Sequence, residues 1–565
     1  MKKQRLQLFL CFIAFAAIMM TSCSKKMNPL SSSLFTANPS PLELVGTKVP
    51  VTVNGRFPAK WFDKNVTVIV TPVLKYDGGE ALGTSETYQG EKVAGNGIVI
   101  SQADGGAITL RSAFDYIPAM KKSELCLRVD VLKNGKALVN FPDMKIADGV
   151  IATAALASAA SSTPAVAPDA FQRIIKETYD ADIMFLIQQA ELRSSELTSK
   201  NLAAWQDLVK EADHNDRKNV NVEVSAYASP DGGFELNEKL AEKREQNTTK
   251  FLSKEFEKKN VDTEINAKYT AQDWEGFQKL VQASSLQDKD LILSVLSMYS
   301  DPVEREKEIK NISIVYSDLA ATILPKLRRS RLIANVEVIG KTNEELKAAV
   351  NSGMTGLSVE ELLYAATLDG VSKDKVYTYV TQKYPNDYRG WNNLGAYYFE
   401  RGDMAKASQA FTKANQVSSR APEANMNLAL LAMADNNTAK AEQLLGSAAG
   451  ANTLGEALGL LYIKNGEYSK AVQAFGETKS NNAALAQLLT KNYSKALQIL
   501  DAVPTKDATT YYLAAIVAAR TNNAAGVAGN LKSALDNGAS ASDIAIDGEF
   551  ARFLANPDIK NMLLR

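Results

Sequence analysis

The sequence predicts a multidomain chain with three folded parts in series: a β-sandwich module, a central α/β domain and an all-α repeat array. Short alternating apolar runs separated by turn residues predict the first part. Strand-like and helix-like segments that alternate along the chain predict the second. A pattern of small and aromatic residues that recurs about every 34 residues predicts the third. A chain of 565 residues is also too long to fold around one core.

The composition excludes several classes of function. Lys+Arg and Asp+Glu balance at 64 each, so no basic field is present to attract nucleic acid. His214 is the single histidine, which removes most histidine-based catalysis and metal binding. Cys11, Cys23 and Cys126 form neither a paired metal motif nor a disulfide framework. We therefore expect no cofactor, no metal site and no catalytic residues.

The N-terminus predicts a lipoprotein signal peptide. Basic residues precede an apolar run at 6–20, which is shorter than the roughly twenty residues that span a bilayer. Small residues then lead directly to Cys23, which resembles the lipobox of bacterial lipoproteins in the form used by Bacteroidetes. The resemblance implies cleavage before Cys23 and acylation of this cysteine, with palmitate among the acyl chains. The other interpretation is a secretory signal with a chance cysteine.

The residues after Cys23 bear on orientation. Ser24, Lys25 and Lys26 follow it, whereas the resemblance would place an acidic run here in surface-exported lipoproteins. We therefore expect a lipid-anchored chain on the outer membrane that faces the periplasm.

Residues 36–147 predict a β-sandwich, of the immunoglobulin-like kind. Strand patterns at 49–55 and 66–72 are rich in β-branched residues, and Asp-Gly and Asn-Gly pairs favour hairpin turns. Cys126 lies in an alternating strand pattern and is expected to be a buried thiol. Residues 148–168 are rich in Ala, Ser, Thr and Pro and are interpreted as a linker.

The central domain is organised around a strand, a glycine-rich turn and a charged helix between residues 220 and 256. Further strands are predicted at 183–187, 265–269 and 335–339. The helix carries Asn237, Leu240 and Arg244 in a spacing that resembles the OmpA-like domain. The resemblance covers about 170 residues, and a helical stretch at 274–324 is an insertion into it.

The OmpA-like resemblance implies peptidoglycan binding. In that family an aspartate and an arginine clamp the zwitterionic end of diaminopimelate. Arg244 matches the arginine and Asn237 the family's asparagine, but Ser229 occupies the aspartate position, and Asp231 lies two residues further on. Two interpretations stay open: Asp231 compensates, or the domain keeps its fold and does not bind the wall.

The C-terminal third resembles tetratricopeptide repeats, which implies stacked helix pairs and an unidentified protein partner. The small residues are expected to let paired helices approach, and the aromatic ones to fill the space between them. The first unit carries the pattern in Trp391, Leu394, Gly395, Tyr398, Ala407, Phe411 and Ala414.

These features predict a non-enzymatic outer-membrane lipoprotein that scaffolds protein partners and contacts peptidoglycan through a degenerate OmpA-like domain. The alternatives are a surface adhesin or fimbrial assembly component and, less favoured, a cell-wall enzyme. The predicted boundaries are 1–22 for the signal peptide, 23–35 for the lipidated tether, 36–147 for the β-sandwich, 148–168 for the linker, 169–340 for the OmpA-like domain and 341–565 for the repeats.

Overall fold

The computed structural model of the chain describes residues 27–311 and 313–564, and these form two compact units. Unit 1 combines the described residues up to Pro168 with those from Ser372 onward, and unit 2 is Asp169–Val371. The predicted signal peptide and the predicted lipidation site, Cys23, lie outside the described residues. Within the described ranges, no helix is both long and apolar enough to cross a bilayer.

The first part of unit 1 is rich in strands, as the sequence predicts. The strands are β1 (Phe35–Asn38), β2 (Leu42–Glu43), β3 (Lys48–Phe57), β4 (Thr67–Tyr76), β5 (Gly79–Leu82), β6 (Glu86–Gly90), β7 (Ile98–Ile100), β8 (Gly106–Asp115), β9 (Ser123–Lys133), β10 (Lys136–Asn140), β11 (Met144–Asp148) and β12 (Val150–Ile151).

In the described part of the chain these strands form a three-stranded sheet, β1-β3-β8, a seven-stranded sheet built on β4 and β9, and a two-stranded parallel sheet, β12-β2. Alternate residues such as Val49, Val51 and Val53 of β3 point into one buried core. Strand β7 pairs with β6 in parallel, which departs from the antiparallel immunoglobulin-like pairing that we expected. Cys126 on β9 is buried.

Unit 2 contains a mixed sheet covered by helices. Its strands and helices are β13 (Ile174–Met184), α1 (Ser194–Leu197), α2 (Lys200–Asp213), β14 (Lys218–Tyr227), α3 (Phe234–Lys259), β15 (Ile265–Thr270), α4 (Trp274–Gln282), α5 (Lys289–Met298), α6 (Pro302–Asn311), α7 (Ser313–Thr322), α8 (Leu324–Leu327), β16 (Arg329–Ile339), α9 (Asn343–Asn351) and α10 (Val359–Ala365).

Within the described residues the sheet order of unit 2 is β13-β16-β14-β15. Strands β14 and β15 are parallel, and α3 provides the crossover that a parallel pair requires. Side chains of α2 and α3, among them Trp205 and Leu252, pack on one face of the sheet. Helices α4 to α8 lie between β15 and β16 and pack around a core of their own.

The first strand of this sheet lies earlier than predicted. The apolar run at 183–187 suggested a strand, but β13 ends at Met184, and Leu186 and Ile187 are exposed in the following loop. The strand was missed because its outward face is polar and its register is fixed by eleven residues paired with β16.

The prediction of a C-terminal helical array is confirmed. Its helices are α11 (Lys373–Lys383), α12 (Tyr388–Glu400), α13 (Met404–Val417), α14 (Pro422–Ala434), α15 (Thr438–Leu445), α16 (Leu454–Lys464), α17 (Tyr468–Phe475), α18 (Asn481–Leu489), α19 (Tyr493–Asp501), α20 (Ala508–Arg520), α21 (Ala524–Asp536), α22 (Ala541–Ala545) and α23 (Pro557–Leu563).

Small residues set the spacing of the helix pairs. A Cβ on Gly395 of α12 would lie 2.6 Å from the ring of Phe411 on α13, and Gly459 faces Phe475 in the same way. Phe411, Ala407 and Ala414 are fully buried. The glycines therefore let each aromatic ring of a second helix press against the backbone of the first.

The remaining pattern residues of the first repeat pack around this contact. Leu394 is buried, and the Trp391 indole N–H donates to the carbonyl of Pro385 at 3.0 Å. Tyr398 is half-buried, with the Lys406 ammonium 5.3 Å from its ring centroid. The first repeat is thus held by close packing inside and by polar contacts at its margin.

The β module and the array contact each other within unit 1. The Tyr468 hydroxyl on α17 accepts the Gly46 N–H at 3.2 Å and donates to the Leu44 carbonyl at 3.3 Å. Gly46 has φ +62°, and a Cβ there would lie 2.7 Å from the Lys464 carbonyl oxygen. This tight turn requires glycine for both reasons.

Candidate functional site

The segment interpreted as a linker lies against the repeat array. After β12 it forms two short 3₁₀ turns, at Thr153–Leu156 and Ala159–Ser161, and then runs to Pro168. We call residues 153–168 the strap. We call the surface that it contacts the array groove; its bonding residues, which lie on the first helices of successive pairs, are Asn392, Asn393, Asn427, Glu456 and Asn482.

Asparagine side chains of the groove bind the strap backbone through both of its polar groups. The Asn427 carboxamide accepts the Ala165 N–H at 2.7 Å and donates to the Ala165 carbonyl at 2.8 Å. Asn393 does the same for Ala167, at 2.8 and 2.9 Å. Asn392 adds a second donor to the Ala165 carbonyl at 2.9 Å. A carboxamide that accepts from the N–H and donates to the carbonyl of one residue makes the two hydrogen bonds that a neighbouring strand would make in a β-sheet.

The contact recurs along the groove because the repeats recur. Asn393 and Asn427 are 34 residues apart and occupy equivalent positions on α12 and α14. Further along, Asn482 on α18 pairs with the N–H and carbonyl of Ser158 at 3.0 and 2.7 Å. The groove therefore binds several points of an extended chain through one type of interaction.

Carboxylates hold the strap at two other points. Glu456 accepts from the N–H and the hydroxyl of Thr163 at 3.0 and 3.2 Å, and burial raises the pKa of this carboxyl. The Thr153 hydroxyl donates to Glu549, which also accepts from the guanidinium of Arg520 at 3.0 Å. The Glu549 side chain is 4% exposed, so this ion pair is shielded from solvent.

The fully buried side chains of the strap are small, whereas Leu156 and Val166 are half-buried and pack against the same core cluster. Ala165 is fully buried within the main core cluster of the array, and Ala167 and Ser162 are nearly so. Ala160 is exposed, and Thr163 is exposed although its hydroxyl bonds to Glu456. At the fully buried positions the groove thus combines backbone recognition with small side chains.

A second candidate site is the glycine-rich turn of unit 2, between β14 and α3. The Asn237 carboxamide donates to the carbonyls of Ser229 and Gly232 at 3.0 and 2.8 Å and fixes the turn. The Ser229 hydroxyl bonds to the Asp231 carboxylate. Arg328 donates to the other Asp231 oxygen at 3.0 Å and to the Ser229 hydroxyl at 3.2 Å. The structure therefore brings Ser229, Asp231 and Asn237 together and adds Arg328.

Arg244 lies beneath this turn and is fully buried. Its guanidinium donates to the carbonyls of Gln189, Tyr227 and Leu186 at 2.9, 2.8 and 3.2 Å. Burial lowers the pKa of Arg244 to about 10. The resemblance implied a fork onto a ligand carboxylate, whereas here three of the five N–H donors bind backbone oxygens and the side chain has no exposed surface. Arg244 instead fastens the loop after β13 to the end of β14.

The charged group that accompanies Asp231 is Arg328, whose side chain is 11% exposed. The resemblance assigned no role to this residue, although it belongs to an arginine-rich stretch that enters β16. Its signal in the sequence was the density of arginines at 328–331. The helical insertion also reaches the turn: Pro230 and Asp231 line a pocket together with Trp274, Phe277 and Tyr316.

The other residues singled out by composition have structural roles. His214 caps the end of α2, and its Nε2 lies 2.8 Å from the Asn260 carbonyl oxygen. Burial raises the pKa of the Cys126 thiol, which makes it a poor nucleophile. Among the residues that the structure describes, no group of three or more His, Cys, Asp or Glu could hold a metal ion.

No protein-family profile and no curated protein matches the chain. Several solved repeat structures are similar to parts of it. A tetratricopeptide repeat protein from Parabacteroides merdae ATCC 43184 is 17% identical, with 37% of this chain and 90% of that chain covered and a TM-score of 0.28. PilW, a type IV pilus biogenesis factor, is 14% identical, with 39% and 98% covered and a TM-score of 0.25. Yeast Tom70 is 11% identical, with 58% and 78% covered and a TM-score of 0.24. At these scores the similarity carries no argument about function, and the repeat architecture rests on the helix pairs themselves.

Proposed function

We propose that this chain is a non-enzymatic, lipid-anchored protein of the outer membrane that scaffolds protein partners through its repeat array. One observation carries the proposal: the array binds an extended polypeptide segment, its own strap, through repeated contacts to the backbone. Solenoids of helix pairs commonly use such surfaces for protein recognition. A partner protein is therefore the ligand class that fits this architecture.

The proposed anchor is Cys23, acylated after cleavage of residues 1–22, with the mature chain facing the periplasm. The test is metabolic labelling with a palmitate analogue in cells that make the wild-type chain, Cys23→Ala or Cys11→Ala. Label on the wild type and on Cys11→Ala, but not on Cys23→Ala, supports the anchor. Cys11→Ala is the control, because Cys11 belongs to the segment that would be removed. Equal labelling of all three chains contradicts the anchor, because Cys23→Ala would then carry lipid without its proposed acceptor.

The scaffold function is tested by cross-linking in whole cells followed by co-purification and mapping of the linked lysines. We expect the links to one reproducible set of proteins to concentrate on residues 388–536. An even distribution of links over both units would contradict partner binding by the array.

Contact with peptidoglycan is a second proposed activity, supported by the turn cluster of unit 2. Asp231 and Arg328 form an ion pair at 3.0 Å, and a zwitterion would replace this pair by placing its ammonium on the carboxylate and its carboxylate on the guanidinium. The test is co-sedimentation of the full chain with purified sacculi. Loss of binding in Asp231→Asn, with retention in the exposed control Asp216→Asn, supports the contact. Equal retention of both variants rejects it.

A further inference from the structure

We propose that the strap is a resident ligand that closes the array groove, and that the groove is specific for extended peptides with small side chains at the buried positions. A partner segment of this chemistry enters the groove only when the strap leaves it. The inference rests on the proposed function of the array as a partner-binding scaffold and defines which peptide class that scaffold takes.

The first argument is the chemistry of the contacts. The carboxamides of Asn393, Asn427 and Asn482 each accept an N–H and donate to a carbonyl of the same strap residue. Every residue except proline offers this pair of groups, so these bonds recognise an extended backbone and not a particular side chain. The groove asparagines are buried, and they are expected to require either the strap or an equivalent peptide to satisfy their hydrogen bonds.

The second argument is size. Ala165 is 0% exposed and Ala167 is 2% exposed, so both β-carbons are enclosed by the array. Ala165 belongs to the buried core cluster of the array, so a larger side chain there would have to displace packed core residues. Exposed positions such as Ala160 carry no such restriction. The groove therefore selects peptides by the small size of the enclosed residues.

The third argument is competition. The strap continues directly from β12 at one end and into unit 2 at the other, so its binding is intramolecular. Tethering gives such a segment an effective concentration on the order of millimolar. A free peptide with the same contacts at micromolar concentration cannot displace it. The groove is consequently closed in the free protein.

Hydrogen exchange on the wild-type chain tests whether the strap stays bound. The N–H groups of Ala165 and Ala167 bond to buried side-chain oxygens, so we expect them to exchange at least about a hundredfold more slowly than in a free peptide of residues 152–168. Exchange at the rate of the free peptide would overturn the proposal. This measurement requires no variant.

A binding assay tests the specificity. A fluorescent peptide of residues 152–168 is added to the full-length wild type, to Ala165→Phe, which should release the strap, and to the control Ala160→Phe. We expect the peptide to bind only the protein variant Ala165→Phe. A second peptide that carries Ala165→Phe itself should not bind this variant. Equal binding of the peptide to all three chains would overturn the proposal. So would no binding to a chain in which the N–H groups of the strap exchange as fast as in the free peptide.

If Ala165→Phe does not fold, as judged by circular dichroism, hydrogen exchange in Asn427→Leu replaces it, because leucine removes both the acceptor and the donor of the Asn427 carboxamide. If the Ala165 N–H loses its protection from exchange while the helix N–H groups keep theirs, backbone recognition by the groove asparagines is supported. Unchanged protection of the Ala165 N–H rejects it. Both assays use purified protein and defined peptides. A negative result in these two assays would reject the strap as resident ligand and would not change the outcome of the Cys23 labelling or the cellular cross-linking. A negative result in the labelling or cross-linking would reject the proposed function and would not change the outcome of the groove assays.

Discussion

Gly395→Ala is expected to destabilise the array although alanine is the better helix former. In an exposed helix interior, replacing glycine by alanine stabilises by about 1 kcal/mol. At Gly395 the new methyl group would lie 2.6 Å from two carbons of the Phe411 ring, and that ring is fully buried and cannot move into solvent. Overpacking of this kind costs about 1–3 kcal/mol. We therefore expect a net loss of up to about 2 kcal/mol.

Gly529 provides a matched control within the same array. It lies in the interior of α21, is exposed, and has no heavy atom within 4 Å of an added Cβ. Gly529→Ala should therefore stabilise by about 1 kcal/mol. The two variants introduce the same methyl group into the same kind of helix and should shift stability in opposite directions.

Urea unfolding followed by far-ultraviolet circular dichroism measures both shifts, and hydrogen exchange assigns them to α12 and α21. The double variant Gly395→Ala with Phe411→Leu should lose less stability than the sum of the two single variants, because the smaller side chain vacates the space of the ring. Shifts of equal sign and size in the two glycine variants would refute the close-approach argument. So would a double variant that shows no coupling.

Three further predictions concern charged groups. Arg244→Met should destabilise unit 2 by about 3 kcal/mol in urea unfolding, because loop carbonyls lose their donors; unchanged stability would contradict this. Arg520→Met should cost about 3–5 kcal/mol by leaving the Glu549 carboxylate buried and unpaired, and Glu549→Gln should restore part of it; additive losses would contradict the pairing. Hydrogen bonds from Arg128 hold the pKa of Asp143 below its usual value, so its contribution is present above about pH 4 and is lost as the pH falls further. Asp143→Asn should therefore lower the urea midpoint at neutral pH and flatten the acid decline, whereas parallel pH curves would contradict this.

The parts of the fold that follow from local patterns were predictable. Gly395 and Phe411 belong to one repeat, and their contact follows from the spacing of small and aromatic residues along two adjacent helices. The burial of Cys126 follows from alternation along a single strand. In both cases the information lies within a few dozen residues, where helical and strand periodicities apply.

The contacts of the strap could not be predicted in this way. Its Ala, Ser and Pro residues bury little area each, and such a composition is typical of a linker. Its partners lie far along the chain, 226 residues away for Ala167 and Asn393. The burial of Arg244 escaped prediction for a similar reason: two of the three carbonyls that it binds belong to a loop 55 to 58 residues earlier. A helix pattern carries no information about such loops.

The separation between the strap and its groove also has a consequence for synthesis. Ala165 precedes Asn427 by 262 residues, which corresponds to roughly 10 to 50 s of translation. During that interval the segment has no array to bind. A long apolar segment would be prone to aggregate while it waited, whereas short alanines interspersed with serine, threonine and proline remain hydrated and do not form extended sheets. The composition that suggested a flexible linker is thus the composition that a late-binding segment needs in a nascent chain.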